Sequence, residues 1–281
     1  MATTALDIVN LALKNLGHKS LAALDTTTEI GRIFSVLYPD CRDELLREIR
    51  PNFAKKRDLF HQVVDSEITI SGATAADPVV ITATSHGLSD GDSIAIWNVV
   101  GMTDLNGKMY KVANGTTHTF EITDLNGNDI NGTTYDAYVS GGKCGELSTA
   151  PIFEYLYRYQ QPSDYILLLS INGNDLLDIP HSVEQDEILT NETQLQGTYI
   201  FQATDVATFD KDFVKVLAWK LAFEGGYAVT NQSALVDRME KYYKEALRDA
   251  KGRKSQESGY PQNNPSKRVV SNQWIKKRYS E

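Results

Sequence analysis

Cysteine is scarce. The chain has two in 281 residues, Cys41 and Cys144, with no Cys-x-x-Cys pair and no Cys/His cluster, which argues against a disulfide framework and against a zinc-held fold. Long apolar runs are absent too: nothing approaches the roughly 20 residues that a membrane-spanning helix needs. The first ten residues carry Asp7 and no basic stretch ahead of an apolar one, so no secretory signal is expected, and the Asn-x-Ser/Thr triplets at Asn114, Asn131, Asn191 and Asn231 have no secretory context. The sequence also lacks a nucleophile–base pair, a metal-ligating cluster and a phosphate-cradling glycine loop. An enzyme is therefore the least supported class, and no catalytic, cofactor-binding or metal-binding residue is assigned.

Charge is present but unevenly placed. The formal net charge is −9, yet residues 251–281 hold eight basic and two acidic residues, leaving −15 on the first 250. An acidic body repels nucleic acid, whereas a basic tail suits an acidic protein surface or nucleic acid.

Both ends of the chain read as helical. The organising stretch is 28–49, where Ile30, Ile33, Phe34, Leu37, Tyr38, Cys41, Leu45, Leu46 and Ile49 fall on one helical face. Thr28 is its expected cap, and Pro39 is expected to bend it. The opposite face, with Arg32, Asp40, Arg42, Asp43, Glu44, Arg47 and Glu48, reads as solvated. Residues 4–17 predict a short helix capped by Thr4 and ended by Gly17. Near the other end, 210–224 predict a helix starting at Asp210 and interrupted at Gly225-Gly226, followed by one from Ser233 to about Lys251, ended by Gly252.

The middle is different. From Val64 to about Cys144 the text is rich in Thr, Val, Ile, Gly and Asn, with alternating runs and Asn-Gly pairs at 106, 114, 126 and 131 that suit tight turns. Asp124, Asn126 and Asn128 imitate the start of a calcium loop, but Asp129 and Tyr135 stand where Gly and Glu are needed. His86, Asp90 and Asp92 read as turn formers. Beyond Pro151, the alternation of Phe153, Tyr155, Tyr157 and Tyr159 predicts a strand with an aromatic face, and YILLLSING a buried strand closed at Asn172-Gly173. Glu184, Asp186, Glu187 and Glu192 form an acidic cluster.

The expected fold class is α+β. A discontinuous helical-bundle domain with short antiparallel strands occupies 1–63 and 147–251, a small all-β domain is inserted at 64–146, and a polar C-terminal extension spans 252–281. The extension is expected to order on a partner through Tyr260, Trp274, Ile275 and Tyr279.

Several segments in this order, TALDIVNLALKNLG, LYPDCRDELLRE followed by PNFAKKR, FEYLYRYQQPSDYILLLSING and FDKDFVKVLAWKLAFEGGYAVTN, resemble the head-to-tail adaptor (connector) family of tailed bacteriophages, the tail tubular protein A-like or tail accessory factors. The resemblance covers roughly 4–60 and most of 151–251. The insert, with HGLSDGDSIAI, GMTDLNGKMYKV and HTFEIT, separately resembles a β-module of phage tail and fibre proteins, and departs from the plain adaptor pattern.

The resemblance implies a virion protein at the head–tail junction, assembled in the host cytoplasm as a ring of twelve copies under the portal protein. It would contact a tail tube or nozzle protein, leave genomic DNA unbound in its lumen, and need no cofactor, metal or membrane. The portal-binding candidates are then Tyr260, Lys267, Arg268, Trp274, Ile275, Lys276, Lys277, Arg278 and Tyr279. The candidate channel-lining residues are Glu184, Asp186, Glu187 and Glu192. The alternative is a carbohydrate-binding or tail-fibre attachment protein acting through the insert, with Trp97 and Tyr110 as sugar platforms.

Overall fold

A computed structural model describes residues 4–25, 27–149, 151 and 153–257. The fold is α+β, and the chain divides into two compact units, one made of Met1–Phe53 with Thr204–Glu281 and the other of Ala54–Ala203.

The first unit is helical. Helix α1 (Ala5–Asn15) opens on a capping box: the Thr4 hydroxyl accepts from the Asp7 N–H at 3.2 Å, and the Asp7 carboxylate accepts from the Thr4 N–H at 2.8 Å. Helix α2 (Glu29–Ile49) starts where Thr28 accepts from the Gly31 N–H at 3.0 Å. It continues through Pro39 as one helix and ends at Arg50, whose φ of 54° is left-handed. Asp210 caps α3 (Lys211–Thr230), its carboxylate accepting from the Phe213 N–H at 2.6 Å.

Helix α3 is the centre of the unit, packing on α1, on α2 and on α4 (Ser233–Glu257). The expected interruption at Gly225-Gly226 does not occur, because both glycines are buried inside α3. A Cβ on Gly225 would sit 2.8 Å from the Phe34 ring, and one on Gly226 would lie 3.2 Å from both Leu16 and Val236. Their role is close approach of neighbouring helices rather than helix breaking. The expected stop at Gly252 also fails, since α4 runs on to Glu257 and so takes in the first residues of the expected extension. Phe53, Phe209 and Phe213 close one end of this core, with ring centroids 5.0–5.2 Å apart.

The second unit is antiparallel β throughout. After β1 (Lys55–Phe60) come β2 (Ile68–Thr69), β3 (Gly72–Ala73), β4 (Val80–Thr82), β5 (Ser93–Val100), β6 (Lys108–Ala113), β7 (Thr119–Thr123) and β8 (Ser140–Glu146). Strands β2 to β8 form one sheet in the order β2-β8-β5-β6-β7-β4-β3, with Ile81, Ile94, Ile96, Phe120, Ile122 and Cys144 in its core. The remaining strands are β9 (Tyr157–Gln160), β10 (Tyr165–Ile171), β11 (Asn174–Asp175), β12 (His181–Glu184), β13 (Glu187–Thr190) and β14 (Leu195–Phe201). They build a four-stranded sheet, β1-β14-β10-β11, and a three-stranded one, β12-β13-β9. A second core containing Phe60, Tyr159, Leu168, Ile188, Leu195 and Tyr199 draws on both of these sheets.

The aromatic alternation from Phe153 gives a shorter strand than expected. Only Tyr157–Gln160 pairs, and Phe153 is 74% exposed. The turn at Asn172-Gly173 forms as the sequence suggests, with φ of 51° and 76° joining β10 to β11. Within this unit Gly107 lies directly against the Leu59 side chain, where any Cβ would collide, and His61 stacks on Trp97 with ring centroids 4.4 Å apart.

Candidate functional site

The acidic cluster lies on and after a hairpin. Strands β12 and β13 pair from His181↔Thr190 to Glu184↔Glu187, and Gln185, with φ of 53°, turns the chain between them. Burial differs by strand: Ile188, Leu189 and Thr190 of the inner strand β13 are buried, whereas Val183 and Glu184 at the end of the terminal strand β12 are exposed.

The four carboxylates expected to act together are divided by their partners. Glu187 takes a two-pronged bond from Arg158, Nε at 2.7 Å and Nη2 at 2.6 Å, and this carboxylate holds the guanidinium above its ordinary range. Glu192 accepts from Asn172 Nδ2 at 3.0 Å, while its backbone carbonyl accepts from the Tyr159 hydroxyl at 2.7 Å. Both therefore fasten the hairpin to its neighbours. Glu184, which accepts from Ser182 Oγ at 2.8 Å, and Asp186, which accepts from Gln160 Nε2 at 3.3 Å, remain exposed at the tip. Those two alone are placed to present charge to solvent.

Arg158 also lines a cleft of about 250 Å³ together with Gln62, Met109, Leu125, Leu147 and Leu156. Its walls are mainly apolar, and its cation is already neutralised by Glu187. The cleft suits an apolar or amphipathic group rather than acid–base chemistry.

The other candidates behave as turn and core residues. Asp124 accepts from Asn128 Nδ2 and from the N–H groups of Asn126 and Asn128, each at 2.8 Å; these bonds, the Asn128 side chain foremost, hold its carboxyl below the usual range. Asp90 accepts from the Gly115 N–H at 2.8 Å and Asp92 from the Ser89 N–H at 2.7 Å. His86 is buried against Phe120, and its Nδ1 accepts from the Leu88 N–H at 3.1 Å. Among the described residues no group of His, Cys, Asp and Glu is arranged to hold a metal ion, and no helix is long and apolar enough to cross a membrane.

Two expectations about the insert are corrected by burial. Trp97 is 4% exposed beneath His61, and Tyr110 is 2% exposed in the sheet core, so neither can offer a face to a sugar. The sequence missed this because alternation alone does not say which face is covered: Trp97 points to the outer side, where His61 lies over it, and Tyr110 points inward with Ile94 and Val112. Cys41 and Cys144 are both buried, and burial pushes each thiol up to about 12.

Lys220 was overlooked. It is 3% exposed, with its ammonium 2.9 Å from Glu44, 3.4 Å from Glu224 and 5.3 Å from the centre of the Tyr243 ring. Burial is the largest influence and pulls this ammonium down, but the bond to Glu44 and the surrounding negative charge, Glu44 and Glu224 included, together outweigh it, and its pKa lies above the ordinary value. The signal was in VLAWKLAF, a helical run apolar on every side, where a lysine needs a partner. The portal-binding candidates from Tyr260 to Tyr279 lie outside the described residues.

Residues 77–147 match the family model of the ubiquitin-activating enzyme E1 FCCH domain. No curated protein matches the chain. The family assignment expected from the sequence, a phage head-to-tail adaptor carrying a phage tail-type β-module, is thereby corrected: the segment read as that module matches a domain of a different family. The matched stretch is about a quarter of the chain and runs from just before β4 to just after β8.

Proposed function

We propose that this chain is a non-enzymatic structural protein of a virion, a ring-forming adaptor between head and tail that seats on a portal protein, prolongs the DNA channel and carries the tail tube or nozzle. The observation that carries the reading is the separation of charge: exposed carboxylates on a β-hairpin tip and an acidic body, against a basic segment at 251–281. Carboxylates repeated around a lumen repel phosphates and let DNA slide without binding. The basic segment, with Trp274 and Ile275 among its cations, suits docking on an acidic protein surface. Glu184 and Asp186 are the channel-facing pair in this reading, while Glu187 and Glu192 serve the fold.

A second reading, attachment of a tail fibre through the β-insert, draws on the mainly apolar cleft beside Arg158, to which the insert contributes Ser93, Met109 and Leu125. The likeness of 77–147 to a domain of a ubiquitin-activating enzyme brings no thiol chemistry with it, because the one cysteine in that stretch, Cys144, is fully buried and its thiol is pushed up to about 12.

The deciding measurement is the native mass of the full chain mixed with the portal ring of the same virion. A discrete complex with one adaptor per portal subunit is expected. Two folded proteins that do not associate would overturn the adaptor reading and turn attention to the cleft.

A further inference from the structure

The two small sheets of the β unit each end in an open edge. Strand β1 is terminal in one and β12 in the other, and neither has a second strand neighbour among the described residues. At β1 three consecutive residues, Lys56, Arg57 and Asp58, are exposed, so side chains of both strand faces stand in solvent there. Lys56 is engaged by Asp58 at 3.6 Å and Asp164 at 3.3 Å, which leaves Lys55 and Arg57, two residues apart on one face, to give this edge its positive charge. The β12 edge has the opposite character. Val183 is 45% exposed, Glu184 is exposed beside it, and Asp186 follows at the tip.

An open edge is a template for another strand, and proteins usually blunt it with charge. Here the charges differ in sign between the two edges. Pairing β1 with a second β1, or β12 with a second β12, would set like charges opposite each other, which is unfavourable, whereas β1 against β12 sets Lys55 and Arg57 against Glu184, with Asp186 adding negative charge in the adjoining turn. We infer that the two edges are the two halves of a head-to-tail contact between copies of this chain, β1 of one copy lying beside β12 of the next. Such a contact uses a different surface on each side, so every added copy leaves one of each edge open until the assembly closes as a ring. The inference deepens the ring reading above and rests on it. In this arrangement the hairpin carboxylates serve the wall, and repulsion of DNA falls to the rest of the acidic body.

The test is the assembly of the full chain, followed by sedimentation velocity across a concentration series with and without the portal ring. The Lys55→Glu/Arg57→Glu variant makes both edges acidic, and Glu184→Lys/Asp186→Lys makes both basic. Each alone is expected to need about tenfold more protein, or more, to assemble. An equimolar mixture of the two should regain assembly, because acidic-edged and basic-edged copies can alternate. Recovery in the mixture also shows that both variants are folded. A second probe avoids charge reversal: Arg57→Cys with Glu184→Cys, oxidised after assembly, should yield disulfide-linked multimers, since the native thiols are buried. A wild type that forms rings while the charge variants assemble equally well, or while the cysteine pair gives no linkage between copies, overturns the edge contact and leaves the ring reading standing. A wild type that stays monomeric in both conditions overturns the ring reading itself.

Discussion

The two units handle polar groups in opposite ways. In the helical unit, residues usually found outside helices or on their surfaces are enclosed: Gly225 and Gly226 sit in the middle of α3, and Lys220 lies between Glu44, Glu224 and the Tyr243 ring. In the β unit several turn residues bond their own chain neighbours, although pairs such as Arg158 and Glu187 reach across strands. Asn106 bonds Val99 through both its amide groups, Asp124 bonds the next turn, and Asp92 bonds Ser89. The difference follows from where the partners are. Helix faces must be satisfied by residues far along the chain, whereas antiparallel turns are satisfied within a few positions.

Alkali should strain both units most, since each holds one buried thiol. Cys41 and Cys144 are raised from 9.0 to about 12, and Tyr199 from 10.0 to about 12, mainly by burial. A raised folded-state pKa contributes stability below the unfolded value and loses it as pH climbs towards the folded one. Unfolding monitored by circular dichroism should therefore stay flat to about pH 9 and fall steeply towards pH 12. Cys41→Ala and Cys144→Ala should each soften that fall, and no softening from either would mean that the tyrosines alone control it.

Gly225→Val tests the helical seam directly. The added carbons meet the buried Phe34 ring, and overpacking of this kind costs about 3 kcal/mol, read as a lower midpoint in denaturant. If the variant matches wild type, α3 and α2 do not approach as closely as described.

The Lys220 site separates a charge that needs its partners from a charge that stabilises. Glu44→Gln with Glu224→Gln leaves the buried ammonium without a carboxylate and should cost about 2 kcal/mol, less than for a fully enclosed pair because Glu44 is 64% exposed. Lys220→Met removes the burden itself and should be neutral or stabilising in the same denaturant titration. A large loss in the methionine variant would show that the ion pairs themselves hold the helices together.

Asn106→Ala asks the matching question of the β unit. It removes two bonds, at 2.8 and 2.9 Å, that serve the Val99 N–H and C=O, and should cost about 1 to 2 kcal/mol. A change within error would mean that water replaces the amide without loss.

The same division explains what could be read from the sequence. Thr4, Thr28 and Asp210 were legible as helix caps, and Asn172-Gly173 as a turn, because each signal and its partner lie within a few residues. Gly225-Gly226 was misread as an interruption because the reason for those glycines is Phe34, almost two hundred positions earlier. Trp97 was misread as a platform because His61, which covers it, lies outside the alternating pattern that places it. Of the acidic cluster, the grouping of four carboxylates was legible, but neither the hairpin that carries it nor that Arg158 and Asn172 would engage two of the four.

The helical unit is built from the two ends of the chain, with Ala54–Ala203 between them. During synthesis, α1 and α2 leave the ribosome with their apolar stripes uncovered and must wait for α3, some 150 residues later. At about 5–20 residues per second that interval is about 8–30 s. The β unit, being continuous, can complete its sheets within that time. The stripe bearing Phe34 and Leu45 is thus the surface most in need of protection in a nascent chain, and a chaperone acting on this protein would be expected to hold it there.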